Sequence, residues 1–339
     1  MLQIVTVAKS AKEFTRKSEG DVIELRDGRL LIVYMEFTGD GSDYAKTLIV
    51  SRISDDGGLT WKNRKVIAET VPGDINVYSP NLIRALDGSI LLIFMRQHSS
   101  NPRTTTMIAY KSFDEGETFQ PYSEFAKKME YSLCNAVLKR LDSGRLLLPV
   151  SPSFKASVLY SDDDGLTWQE SKNRVFLPMR GAMEPHAEQT RDGRVLMVIR
   201  NQLGSLFIAE SKDQGETWEK PQTSGLRTPE SCPELTRIPG TNDLLMIWNN
   251  SPYDPDFRSH YGKRSPLSCA VSKDNGRTWE NIKDIETDST RAFSNPGCRF
   301  LSDGKAVINY WTCEYLPDWR MQDVIDLRVA IIHKQWFYT

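Results

Sequence analysis

Six times along the chain a polar turn is followed by a short apolar run. The copies are RDGRLLIVY from Arg26, LDGSILLIF from Leu86, DSGRLLLPV from Asp142, RDGRVLMVI from Arg191, GTNDLLMIW from Gly240 and SDGKAVINY from Ser302. Runs this short, bounded by turn residues and without a 3.6-residue apolar period around them, predict buried strands rather than helices. A second phrase follows each of the first five: SDDGGLTW from Ser54, SFDEGETF from Ser112, SDDDGLTW from Ser161, SKDQGETW from Ser211 and SKDNGRTW from Ser272. All five fit Ser-x-Asp-x-Gly-x-Thr-(Trp/Phe). The Ser and Asp side chains can bond nearby backbone amides, the Gly takes a positive φ, and the aromatic folds back over apolar surface.

The units recur about every 50 to 60 residues, the sequence signature of a propeller in which each unit is one four-stranded blade. Six units predict six blades, all-β, in a single domain over residues 1–339. Within a unit the expected order is inner strand, DG turn, second strand, third strand, Asp-containing turn, outer strand. The sixth unit lacks the final phrase and ends in the alternating segment LRVAIIHKQWFY, while the chain opens with LQIVTV. These two segments are expected to share a blade and close the ring, which removes exposed sheet edges. The five repeated turns then belong on the outer rim and are structural.

Charge and composition narrow the partners. Lys and Arg number 43 against 45 Asp and Glu, so no basic surface recruits nucleic acid or an anionic membrane. No apolar stretch is long enough to span a bilayer, and the opening MLQIVTVAKSAKEF lacks the parts of a secretory signal, which reads as a cytoplasmic protein. Five cysteines without CxxC or Cys/His spacing predict buried thiols, with no metal site and no cofactor. Oligomeric state is not legible.

In a propeller the inner strands converge on a central channel, so the residues just before each DG turn's strand are candidates for chemistry. They include Ser18-Glu19-Gly20-Asp21, Val77-Tyr78-Ser79-Pro80, Leu133-Cys134-Asn135, Met183-Glu184-Pro185-His186, Glu230-Ser231-Cys232 and Phe293-Ser294-Asn295. Carboxylates at Glu19, Glu184 and Glu230 around one funnel would shift each other's proton affinity, the environment acid/base chemistry uses.

The Asp-containing phrase on six blades resembles the sialidase (neuraminidase) superfamily, whose Asp box it is, over essentially the whole chain. The resemblance implies an arginine triad for a substrate carboxylate, an Asp acid/base and a Tyr nucleophile activated by a Glu. Glu184, with Arg200-Asn201 sixteen residues on, looks like the family's Glu and second arginine; Arg264, eight residues before Ser272, looks like the third; Asp43 in GDGSDYA sits where the acid/base is placed. Two positions depart from the pattern. Ser18-Glu19-Gly20 stands where the first arginine is expected, and Phe293 where the tyrosine is expected. Phenylalanine cannot attack an anomeric carbon.

These residues predict a glycoside hydrolase acting on a terminal, acidic or modified sugar of a glycan. Asp43 is the expected general acid and Glu184 or Glu19 the base that activates water, with inversion as the outcome. Arg200, Arg264, His186, Tyr78, Glu230 and Ser231 are the expected substrate-binding residues, and Trp248 and Trp311 are candidates for subsite walls. A carbohydrate-binding propeller that has lost turnover is the alternative. A polysaccharide lyase, drawing on Tyr78, His186 and Arg200, is a third reading.

Overall fold

The computed structural model describes residues 2–257 and 259–339, and it is a six-bladed β-propeller. Blade one is Phe14–Glu24, Leu30–Thr38, Thr47–Ser54 and Lys62–Glu69, in that order from channel to rim, and its neighbours repeat the order. In blade three the inner strand is interrupted, as Tyr131–Leu133 and Lys139–Arg140, both paired with Leu146–Pro152. Gln3–Ala8 pairs antiparallel with Asp326–His333, so the two ends of the chain share the sixth blade as expected. The one helical element among the described residues is the 3-10 turn Lys334–Tyr338. No helix among the described residues is long and apolar enough to cross a membrane.

The apolar runs form the second strands, and they are buried on both faces because each blade packs against the next. Between blades one and two, Leu31, Val33 and Ile49 meet Leu82, Leu92 and Ile108. Full burial of one such side chain is worth about 1.5–3 kcal/mol, so blade contacts dominate stability.

The five repeated turns share one hydrogen-bond pattern. In the first, the Ser54 hydroxyl donates to Asp56 Oδ1 (2.8 Å) and accepts from the Gly58 amide (2.8 Å). Asp56 then accepts from the Thr60 amide (2.9 Å) and hydroxyl (2.6 Å). The same bonds recur at Asp114, Asp163, Asp213 and Asp274, all on the rim. The box also pegs a blade to its predecessor. A Cβ on Gly116 of blade two would lie 2.6 Å from Leu31 of blade one, and one on Gly276 of blade five 2.4 Å from Leu196 of blade four.

Candidate active site

Four inner strands break their ladder at the same place. The register shifts between Ser18 and Asp21, Tyr78 and Asn81, Met183 and His186, and Ser294 and Gly297. Within each break one residue adopts positive φ: Glu19 (47°), Ser79 (52°), Glu184 (40°) and Asn295 (51°). A bulge re-aims a side chain, and non-glycine residues hold positive φ only where the surroundings enforce it. All four side chains are turned into one cavity at the channel mouth, of about 600 Å³. Ser79, Glu184 and Asn295 each precede a proline, Pro80, Pro185 and Pro296, which has no N–H for the ladder. X-Pro therefore marks three of the four bulges in the sequence, and Glu19 is followed by Gly20 instead.

Among the described residues, six arginines and four carboxylates line the cavity: Arg16, Arg103, Arg180, Arg200, Arg264 and Arg320 against Glu19, Asp43, Glu184 and Asp323. The excess is positive. Blade one does supply an arginine, correcting the expectation drawn from Ser18-Glu19-Gly20: Arg16, two residues upstream of Ser18, stacks over Phe37 with its guanidinium 4.1 Å from the ring. Its Nη1 bonds Asp43 Oδ1 (2.7 Å) and its Nη2 bonds Glu19 Oε1 (2.7 Å). Spacing from the DG turn hid it, because the position nine residues before Asp27 is Ser18 and Arg16 lies two residues further upstream.

Arg200 Nη1 bonds Glu184 (2.5 Å) and its Nη2 bonds Glu230 (2.9 Å). Glu230 also accepts from Arg180 and Gln202. Arg264 differs from both. It is 4% exposed, and its Nε and Nη2 reach only the Glu230 backbone carbonyl (3.3 and 3.0 Å). No ion-pair partner of Arg264 lies among the described residues. Burial and the Arg200 charge both lower its pKa.

The carboxylates are held in different states. Burial pushes the Glu19 carboxyl upward, against Arg16 and the Ser18 hydroxyl. Burial acts the same way on Glu184 and Asp43, but is outweighed. The Arg200 charge and the Cys232 thiol hold Glu184 below the ordinary value, and Arg16 with the Tyr78 hydroxyl (3.0 Å from Oδ1) holds Asp43 below it. Asp43 stands at the lip with its side chain 60% exposed, so water screens its pairing with Arg16.

The expected site residues divide into two groups. Glu19, Asp43, Tyr78, Glu184, Arg200, Arg264 and Trp311 line the cavity together. Glu230 lies behind Arg200 as its counter-ion, and Ser231 is buried beside Thr228. His186 points down the channel instead, its Nδ1 on Glu234 Oε2 (2.7 Å), while Lys139 bonds the other oxygen (2.8 Å). Trp248 is core, its Nε1 bonded to the Arg227 carbonyl. Phe293 is fully buried between blades five and six, with its ring edge-on to Tyr310, and does not line the cavity. The floor of blade six is Asn295, whose Oδ1 accepts from Trp311 Nε1 (2.9 Å).

Sequence reasoning missed Arg16, Arg103, Arg180 and His260. His260 reaches the cavity from the long loop between the second and third strands of blade five. Burial and the charges of Arg264, Arg200 and Arg180 hold its imidazole well below the ordinary value, so it is neutral at physiological pH. No spacing rule places a side chain from so irregular a loop.

Fold and cavity together define a BNR-type propeller with a cationic funnel. The chain matches the BNR repeat-like domain over residues 16–308 and belongs to that family, with the six-bladed fold of the sialidase superfamily. The NanB sialidase of Streptococcus pneumoniae superposes with a TM-score of 0.78 at 15% identity, covering 98% of this chain and 71% of that one. A leech intramolecular trans-sialidase gives 0.75 at 15%, covering 96% and 69%. A protein of unknown function from Dyadobacter fermentans DSM 18053 gives 0.74 at 17%, covering 98% and 99%. At these identities the likeness is one of fold. No curated protein matches the chain in sequence.

Proposed function

We propose that the protein is an exo-acting glycoside hydrolase that removes a terminal anionic sugar from a glycan. The observation that carries this is Arg264, a buried guanidinium facing the cavity with no carboxylate partner among the described residues. An uncompensated buried charge costs several kcal/mol, a cost that an anionic ligand would remove. Arg16 and Arg200, from blades one and four, would complete the grip on a carboxylate or similar group.

The resting ion pairs suggest how binding couples to chemistry. A substrate anion competes with Asp43 for Arg16. Once Arg16 is engaged, Asp43 loses the cation that keeps it ionised, its proton affinity rises, it takes up a proton from solvent at the exposed lip, and it donates that proton to the leaving oxygen. Glu184, ionised by Arg200, takes the proton from the attacking water. With Phe293 buried away from the cavity, water rather than a side chain is the attacking group, and the anomeric configuration inverts.

A second reading rests on the same ion pairs: Asp43 and Glu184 are both neutralised in the resting pocket, as in a propeller that binds a glycan without turning it over. A panel of glycans ending in sialic, uronic and other acidic sugars separates the two. Hydrolysis releases a reducing sugar, whose first-formed anomer by NMR is inverted, and Glu184→Gln lowers the rate by roughly 10² to 10⁴. Binding without release on every glycan would favour the binding propeller, and an elimination product absorbing in the ultraviolet would mark a lyase.

A further inference from the structure

We propose that the floor of the cavity is a binding site for one thiophilic divalent cation, with Cys134, Cys232 and Glu184 as its ligands. The three come from different blades. Cys134 follows the first inner segment of blade three, Glu184 sits in the bulge of blade four, and Cys232 precedes the inner strand Glu234–Arg237 of blade five. Their sulfur and carboxylate atoms all lie within 4.8 Å of one another. Cys134 and Glu184 line the cavity while Cys232 is fully buried beneath it, so the remaining coordination position opens toward the pocket. Two thiolates and a carboxylate with one open position suit zinc better than the hard cations, which prefer oxygen.

The surrounding arginines do not forbid this. Exchanging two thiol protons for one divalent cation leaves the net charge of the floor unchanged, so Arg200 and Arg264 see no added positive charge. Arg200, 2.5 Å from Glu184 and 3.7 Å from the Cys232 sulfur, would act as the outer-shell donor that orients both ligands. Asn295, with its amide nitrogen 3.7 Å from the Cys134 sulfur, takes the same position on the other side. The other three cysteines provide the contrast. Cys269, Cys298 and Cys313 are buried in strands, and none shares a cluster of three ligating groups with its neighbours among the described residues.

The proposal is independent of the hydrolase reading, although a cation on Glu184 would deny that carboxylate to water and is expected to inhibit turnover. The test uses the reduced full chain without substrate, with cobalt(II) as the spectroscopic probe and zinc as competitor. One equivalent of cobalt should produce thiolate-to-cobalt absorption that zinc abolishes. Cys134→Ser, Cys232→Ser and Glu184→Gln should each weaken binding more than about tenfold, while Cys269→Ser leaves it unchanged. Should the serine variants fail to fold, zinc must still raise the melting temperature of the wild type and slow peroxide-driven formation of a Cys134–Cys232 disulfide. The idea is overturned if cobalt gives no thiolate band, if both serine variants bind as tightly as wild type, or if peroxide joins the two sulfurs equally fast with and without zinc. Cobalt binding together with no sugar release by the metal-free protein would refute only the hydrolase reading, and sugar release by the metal-free protein with no cobalt binding would refute only the metal site.

Discussion

Arg264 carries opposed contributions to stability and to binding, and one substitution can separate them. In the ligand-free protein its guanidinium is buried with two contacts to a backbone carbonyl and no counter-ion among the described residues. Replacing such a charge by a packed apolar side chain removes a desolvation penalty of several kcal/mol. The Glu230 carbonyl loses its donors, which costs about 1–3 kcal/mol and offsets part of that gain. In the complex the same charge would meet the substrate anion, and truncating one partner of such a pair costs about 2–5 kcal/mol. Arg264→Met should therefore hold or raise the melting temperature while sharply raising the Michaelis constant for an acidic sugar. Calorimetry and steady-state kinetics on one preparation check both halves. A variant that loses stability and keeps its affinity would show that Arg264 serves the fold.

At the scale of the element, the boxes and the bulges were legible to very different degrees. The boxes announce themselves because every contact in them is local: Ser, Asp, Gly and Thr at fixed offsets bond one another within one turn. Gly116 adds the inter-blade demand, with φ at 86° and any Cβ at that position falling 2.6 Å from Leu31. Gly116→Ala should cost about 1–3 kcal/mol from the clash in addition to backbone strain. Gly144→Ala, at a similar φ of 94° but with nothing within 4 Å, should cost only the strain. Denaturant melts of the pair isolate the peg, and equal losses would mean that box and neighbour blade are not coupled. The bulges were harder to see. Glu19, Glu184, Arg200, Arg264 and Asp43 were reachable from the order of strands and from family spacing. Arg16 was not, because the family spacing falls on Ser18 and Arg16 stands two residues upstream of it, and Phe293 was misplaced because the re-aimed residue is two positions later, at Asn295. His186 illustrates the same break: it stands two residues beyond Glu184, yet the bulge between them sends one side chain to the cavity and the other down the channel. His260 depends on a long loop folding back toward Arg180 and Arg200 of other blades, which no local pattern records.

At the scale of the whole molecule, the ring holds its carboxylates in two opposed classes, and their balance sets the response to acid. The box aspartates accept bonds from the hydroxyls and amides of their own turns, and all five titrate below the ordinary value. Asp56, bonded first by the Thr60 hydroxyl, comes down to about 2. Asp87 and Asp192, held mainly by Ser89 and Arg194, also reach about 2. For these groups the unfolded chain binds protons more readily than the folded one, so their stabilisation is complete above the ordinary Asp value of about 4 and is lost as pH falls toward 2. Glu19 and Glu188 have the opposite sign, because burial raises both. The folded state accepts their protons first, so their contribution grows as pH falls through the raised range. The second class has these two members among the described residues and the first is far larger, since Asp43, Glu184, Glu36 and Asp74 join the seven above, and the second acts above the ordinary carboxylate range. The melting temperature should therefore change little from pH 7 to about 5 and then fall steeply between about pH 4 and 2. Because the box bonds recur in five blades, the loss should reach all five together, and box-bearing blades should lose amide protection in parallel. A melting temperature that stays level down to pH 2 would show that the boxes hold the ring by shape alone, with the charge on their aspartates contributing nothing.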